Sequence, residues 1–184
     1  MTFYNGSFYI STGTNFTRFN SDPMQTVWSM PFGNGVVSYA QPTLSNSGNV
    51  LYVKVPQYNN KKNTTILSFY AATGTPMPGI YVLPEANVEA TTTVAVGADN
   101  SVYTVSYGGR LVALTNALKF KWTFAGDNSS TYATSPAIDG VRVCRLGRRG
   151  AACCVLTVAS LSALATSFTR TMARRWSLCV SASM

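Results

Sequence analysis

The chain contains no histidine. That absence removes a Ser-His-Asp or Cys-His nucleophile, a histidine general base and c-type haem attachment. Cysteine is missing from residues 1–140; Cys144, Cys153, Cys154 and Cys179 all come later. No Cys-x-x-Cys occurs, so a zinc site has neither its spacing nor its imidazoles, and the metal reading is none. Acid is scarce as well, six Asp and Glu in 184 residues. No stretch of residues 1–140 carries a helical period. Gly108-Gly109 reads as a hairpin turn between strands, not as the strand-to-helix cradle that holds a phosphate.

The six acids are the remaining candidates for acid-base chemistry: Asp22, Glu85, Glu89, Asp99, Asp127 and Asp139. Glu85 and Glu89 would pair on a helix, but Pro84 and the β-rich surroundings make them solvated loop charges. Asp99, Asp127 and Asp139 stand beside Asn or Gly, where short polar side chains serve turns. No catalytic residue is assigned.

What the chain does have is a spacing that recurs. Tyr9, Trp28 and Pro42 return as Tyr103, Trp122 and Pro136, with the same internal intervals. A middle copy starts at Tyr52, with Thr93 in the Pro slot, Gly79 or Ile80 in the Trp slot, and a lengthened loop at Tyr58–Asn63. Self-similarity at a period of about 40–50 residues marks a repeat architecture. Each unit reads as short strands rich in β-branched and aromatic residues, such as Ser7–Ser11, Val50–Val55 and Ser101–Val105. Turn signals bound them at Asn5-Gly6, Ser47-Gly48-Asn49 and Asp99-Asn100. A second strand follows each, a third carries the Trp, and a fourth begins after the Pro. Four antiparallel strands per unit is one propeller blade, so the expected fold is all-β: a partial β-propeller of about three four-stranded blades over 1–140.

The third unit, Ser101-Val102-Tyr103, Gly108 to Leu114, Phe120-Lys121-Trp122 and Ser135 to Gly140, resembles the PQQ-like repeat of quinoprotein-type β-propellers. The resemblance covers residues 5–140, strongest in the third unit, fair in the first and weak in the second. The family's Asp-x-x-x-Gly-Lys turn before the Trp is replaced here by Asn116-Ala117-Leu118-Lys119. The resemblance implies a blade-docking role for Trp28 and Trp122. It implies no chemistry, because propellers host many unrelated functions. A ring needs about four to eight blades, so about three units read as part of a larger propeller. Ring closure by several copies of the chain is the less usual alternative. Met1 precedes the first strand with neither a basic nor an apolar leader segment, so no signal peptide is read there.

Residues 141–184 differ from the rest. The net charge of +8 divides as +1 for 1–140 (seven Lys and Arg, six acids) and +7 for 141–184 (seven Arg, no acid). The repeats are thus near neutral with no basic stripe, and nucleic acid is not an expected partner. The tail is expected to be disordered or a weak helix. Three readings of it are open. The break in composition at Gly140, where a new Val-Tyr-rich strand is due, favours an altered reading frame or retained intron over native coding sequence. Residues 150–169 form an uncharged stretch flanked by Arg, a weakly apolar membrane span. The Arg-rich segments also fit a basic interaction tail. Some quinoprotein alcohol dehydrogenases carry a vicinal cysteine pair near the cofactor, but Cys153-Cys154 has different surroundings and is read as coincidence.

Four sequons, at Asn5, Asn15, Asn63 and Asn128, fall at expected loops or strand ends. They suit an extracellular or secretory-lumen protein as candidate glycosylation sites. The functional expectation is a non-catalytic binding or scaffold module with a protein or carbohydrate partner and no cofactor. Tyr39, Tyr58, Tyr107 and Tyr132 are loop contact candidates, though packing is the simpler role for each. The alternative is a remnant of a PQQ- and Ca²⁺-dependent oxidoreductase. That reading needs an oxygen cage for Ca²⁺ and a catalytic Asp, neither of which is assigned in this sequence.

Overall fold

The structure is a computed structural model that describes residues 1–12, 14–32, 40–56, 63–86, 92–106, 110–124, 135–139, 142–144 and 156–157. The described residues are all-β, with no helix. Three four-stranded antiparallel sheets follow one another along the chain. The first holds β1 (Thr2–Tyr4), β2 (Ser7–Ser11), β3 (Asn15–Ser21) and β4 (Met24–Pro31). The second holds β5 (Thr43–Leu44), β6 (Val50–Val55), β7 (Asn63–Tyr70) and β8 (Pro76–Ala86). The third holds β9 (Ala95–Val96), β10 (Val102–Val105), β11 (Leu111–Leu114) and β12 (Phe120–Phe124). Within each sheet the strands lie in chain order, as in a propeller blade.

The strand that follows the Pro slot does not complete the preceding sheet. β5 and β9 open the next blade, pairing with β6 and β10. The structural blade is therefore shifted by one strand from the sequence repeat. The corresponding strand of the first blade is β1, which a repeat count starting at Tyr9 overlooks. After the third blade comes a three-stranded sheet of β13 (Ala137–Asp139), β14 (Arg142–Cys144) and β15 (Leu156–Thr157). Over those five residues beyond 140 the tail is strand, which amends the expectation of disorder or weak helix. The remainder of 141–184, including most of the 150–169 stretch, lies outside the described residues.

Register sets the three blades in correspondence. Tyr9 pairs with Arg18, Tyr52 with Ser68 and Tyr103 with Ala113. One position before each Tyr, Phe8 pairs with Phe19, Leu51 with Phe69 and Val102 with Leu114. One position after, Ile10 pairs with Thr17, Val53 with Leu67 and Thr104 with Val112. Because side chains alternate between faces along a strand, each blade has a covering face that bears the Tyr. Its opposite face, the receiving face, bears the flanking residues.

The core forms where one blade's covering face meets the next blade's receiving face. Tyr9 and Phe16 pack with Leu51, Val53, Leu67 and Phe69 between the first and second blades. Tyr52 and Ile66 pack with Val102, Val112 and Leu114 between the second and third. Tyr103, Leu111 and Ala113 begin a third cluster, against which Ile138 of β13 is packed. The second blade, covered on both sides, is buried along most of β6 and β7, whereas β2 alternates buried and partly buried residues. Burial of each large apolar side chain contributes about 2 kcal/mol.

Candidate functional site

Of the side chains that sequence reasoning marked for docking, Trp28 stands at the first of these blade junctions. Trp28 lies on β4, opposite Arg18. Its indole N–H donates to the Ala71 carbonyl at 3.2 Å, in the β7–β8 turn of the next blade. That approach requires glycine at position 74. Gly74 has a φ of +72°, and a Cβ there would meet the Trp28 ring at 2.8 Å. Phe16 meets the same indole edge-on, with ring centroids 5.2 Å apart. Arg18 stands beside it, its guanidinium 5.9 Å from the Tyr9 ring centre. Arg18 donates to the Ala72 carbonyl at 3.0 Å and to the Ser7 hydroxyl at 3.1 and 3.2 Å. Two donors of the first blade thus cap two successive carbonyls of the second.

At the next junction the Trp slot is vacant, and the structure shows what replaces it. Ala71 lies two residues beyond Phe69, and Asn116 lies two beyond Leu114, so their carbonyls correspond. Asn116 accepts a hydrogen bond of 2.9 Å from the Tyr52 hydroxyl. The small residue at the degenerate slot has a purpose. A Cβ on Gly79 would meet the Ala117 carbonyl oxygen at 2.9 Å, so glycine lets the β11–β12 turn of the third blade close against the second. Ile80, the other candidate for that slot, is 49% exposed. In that turn Leu118 adopts a φ of 58° and is buried among Tyr52, Ile66 and Val102. It takes the left-handed place that Gly74 holds in the β7–β8 turn.

Trp122 is partly buried on β12, opposite Ala113. Its ring lies 5.9 Å from that of Tyr103 at 54°, close to the 6.2 Å and 51° of Tyr9 and Trp28. Its indole N–H has no hydrogen-bond partner among the described residues. Of the sequon residues, Asn5 is exposed in the β1–β2 turn. The Asn15 amide donates to the Ser29 hydroxyl at 3.2 Å and the Asn63 amide to the Leu83 carbonyl at 3.1 Å. Asn128, Tyr39, Tyr58, Tyr107, Tyr132, Cys153 and Cys154 lie outside the described residues.

One buried charge carried no signal in the sequence. Lys54, on β6, is 1% exposed between the second and third blades. Its ammonium donates to the Thr92 hydroxyl at 2.6 Å and to the Val105 carbonyl at 2.9 Å. Burial pushes its pKa down to about 8. Asp99 has the opposite surroundings. Burial works against its ionised form, but hydrogen bonds from Ser101 and Lys121 outweigh that and lower its pKa. The Ser101 N–H and hydroxyl donate to it at 3.0 and 2.6 Å, and Lys121 lies 3.3 Å away. This arrangement closes the β9–β10 turn. No group of three His, Cys, Asp or Glu side chains among the described residues is placed to hold a metal ion.

No family model matches the chain. No curated protein matches it in sequence either. Solved structures do match in fold. BamB from Moraxella catarrhalis aligns with a TM-score of 0.54 at 18% identity, over 78% of this chain and 40% of its own. Regucalcin, a calcium-binding protein from Agrobacterium tumefaciens strain C58, aligns with a TM-score of 0.44 at 13% identity, over 85% of this chain and 54% of its own. The chain thus spans less than half the length of BamB, a β-propeller. Among the described residues, no helix is long and apolar enough to cross a membrane. Sheet order, register and this likeness agree: the chain is a partial β-propeller of three four-stranded blades, followed by the strands of a fourth sheet.

Proposed function

We propose that the chain is a non-catalytic binding or scaffold segment of a larger β-propeller, in which Trp28 and Trp122 are blade-docking residues. One observation carries this reading: at the two blade junctions, polar side chains of one blade donate hydrogen bonds to backbone carbonyls of the next. Trp28, Arg18 and Tyr52 cap carbonyls of the following blade, and Lys54 donates to Val105 across the second junction. Asp99 closes a turn. A scaffold built this way offers its connecting loops to a protein or carbohydrate partner. The exposed Asn5 at a hairpin tip suits the extracellular or luminal setting that this reading includes.

The test is a thermal melt of the full chain with PQQ and Ca²⁺, alone and together, beside a glycan array and a screen of extracellular proteins. A ligand that binds only the folded chain raises the melting temperature. The scaffold reading expects no shift with PQQ and Ca²⁺, and saturable binding to a glycan or protein. A saturable rise with the quinone, together with dye-linked alcohol oxidation, overturns it in favour of the oxidoreductase.

A further inference from the structure

We propose that, of the sequons among the described residues, only Asn5 carries a glycan in the folded chain, and that Asn15 and Asn63 stay unmodified. The inference rests on the extracellular or luminal setting proposed above. Asn5 and Gly6 form a two-residue turn between β1 and β2, closed by the pairing of Tyr4 with Ser7. Their φ values of 45° and 70° suit a type I′ turn, which favours Asn-Gly. Both residues are exposed. That exposure belongs to the position in the blade and not to the first blade alone. The matching β5–β6 and β9–β10 turns each have a blade before them. Asn46, Ser47 and Asn49 of the one, and Ala98, Asp99 and Asn100 of the other, are exposed as well.

Attachment joins the asparagine Nδ2 to C1 of a sugar. Nδ2 gives up one proton, and the C1–O bond to the pyrophosphate of a lipid-linked oligosaccharide breaks, releasing the lipid pyrophosphate. The product is a bulky group that must stand in solvent. At the hairpin tip Asn5 meets that demand. Asn63 does not, because its amide is committed to two carbonyls of β8, Leu83 at 3.1 Å and Pro84 at 3.5 Å. Asn15 is tied to β4 through Ser29. Its amide donates to the Ser29 hydroxyl at 3.2 Å, and the Thr17 hydroxyl of the same sequon lies 2.9 Å from that oxygen. A glycan on Asn15 or Asn63 would push β4 or β8 from its neighbour. Ser7, Thr17 and Thr65, the hydroxyl residues of the three sequons, are all buried. Transfer therefore takes place on the unfolded chain, and folding retains the one glycan it can accommodate.

The test passes the full chain, behind a cleavable secretory leader, through a eukaryotic secretory pathway. The protease-resistant product is mapped by endoglycosidase digestion and peptide mass spectrometry, with Asn128→Gln in every chain. The expected product carries a glycan at Asn5 and none at Asn15 or Asn63, and Asn5→Asp abolishes the endoglycosidase shift. An unmodified Asn5 overturns the proposal, as does a protease-resistant product with a glycan on Asn15 or Asn63. The leader separates two questions: localisation of the protein in its own cells tests the setting, and the glycan map tests which asparagine accepts. Thermal melts of unglycosylated chain give a second readout. Asn5→Asp is expected to leave the melting temperature unchanged, because aspartate also tolerates the left-handed region. Asn63→Asp turns a carboxylate on two carbonyls and lowers it by several degrees. An Asn63→Asp chain that melts with its parent refutes the assignment.

Discussion

Between the first and second blades the contact is aromatic and cationic: Phe16, Trp28 and Tyr9 with Arg18 at the rim. Between the second and third it is largely aliphatic, with Ile66, Val102, Val112 and Leu114 around Tyr52 and a buried lysine close by. Both junctions bring a donor to the same carbonyl position, yet the donors differ, Trp28 in one and Tyr52 in the other. The equivalence lies in the backbone: the register that aligns Tyr9 with Tyr52 also aligns Ala71 with Asn116. A repeat can therefore lose its most recognisable residue and keep its junction, provided another donor reaches the turn and the vacated slot stays small.

The largest expected effect separates the junctions by packing. Phe16 is fully buried and touches Trp28, Phe32 and Phe69. Phe16→Ala is expected to destabilise by about 3–5 kcal/mol, and Leu114→Ala, fully buried at the other junction, by about 2–5 kcal/mol. Urea unfolding followed by tryptophan fluorescence and by far-UV circular dichroism measures both. If the junctions fold as one unit, each substitution moves both probes together. A Phe16→Ala chain in which the tryptophan signal changes while the far-UV transition stays in place shows that the first blade detaches by itself.

Lys54 marks the second junction by its pH dependence. Burial holds its pKa at about 8 against 10.5 in the unfolded chain. Between those values the unfolded chain binds a proton that the folded chain has released, so stability rises with pH from about 8 to about 10.5. Below 8 the penalty is fully present, roughly 3 kcal/mol by linkage. The phenols of Tyr9, Tyr52 and Tyr103 act oppositely, because burial raises their pKa values above 10.0. The folded chain keeps those protons longer, so stability turns down again above about pH 10. Denaturation midpoints from pH 7 to 11 are expected to pass through a maximum, and Lys54→Met to remove the rising limb. A parent chain with no rise between pH 8 and 10 refutes the assignment.

The donors themselves come next. Tyr52→Phe deletes one hydroxyl and leaves the Asn116 carbonyl short of its partner, at a cost of about 1–2 kcal/mol. Trp28→Phe removes the indole N–H and also packing against Gly74, so it costs more. If Tyr52→Phe proves neutral in chemical denaturation, the correspondence of the two donors is geometric only.

Much of this arrangement was legible in the sequence, and the reasons are specific. Tyr9, Trp28 and Pro42 return at fixed intervals because each sits where neighbouring blades constrain it, and that fixed spacing disclosed the all-β repeat. Pairing direction was not legible. Nothing in Pro42-Thr43-Leu44 states that β5 joins the following sheet, because a two-residue strand carries too little pattern to choose a partner. Tyr52 was read as a repeat marker, but its hydrogen bond spans 64 residues and depends on a turn whose position follows only from register. Lys54 had no signal at all. It occupies an alternating strand position where lysine normally faces water, and only the third blade, packed across it, makes it a buried cation. The notable local departure, Asn116-Ala117-Leu118-Lys119 in place of the glycine turn, was visible, though its consequence was not.

That turn gives the smallest effect and the sharpest comparison between the junctions. At the first junction the left-handed residue of the β7–β8 turn is Gly74, for which φ of +72° carries no steric penalty. At the second it is Leu118, whose side chain pays about 1–2 kcal/mol for the same region of backbone space. Its burial, with 3% exposure, contributes about 1.5–3 kcal/mol, so packing outweighs strain and leucine is retained. The two terms separate on substitution. Leu118→Ala loses the packing and keeps the strain, whereas Leu118→Gly loses the packing and relieves the strain. Glycine is therefore expected to be the milder change by about 1 kcal/mol in equilibrium denaturation, the reverse of its usual rank below alanine. If alanine proves the milder, the turn relaxes out of the left-handed region once the leucine is gone. Packing of Leu118 against Tyr52 and Ile66 would then be what imposes that backbone conformation, and the two turns would share a shape for different reasons.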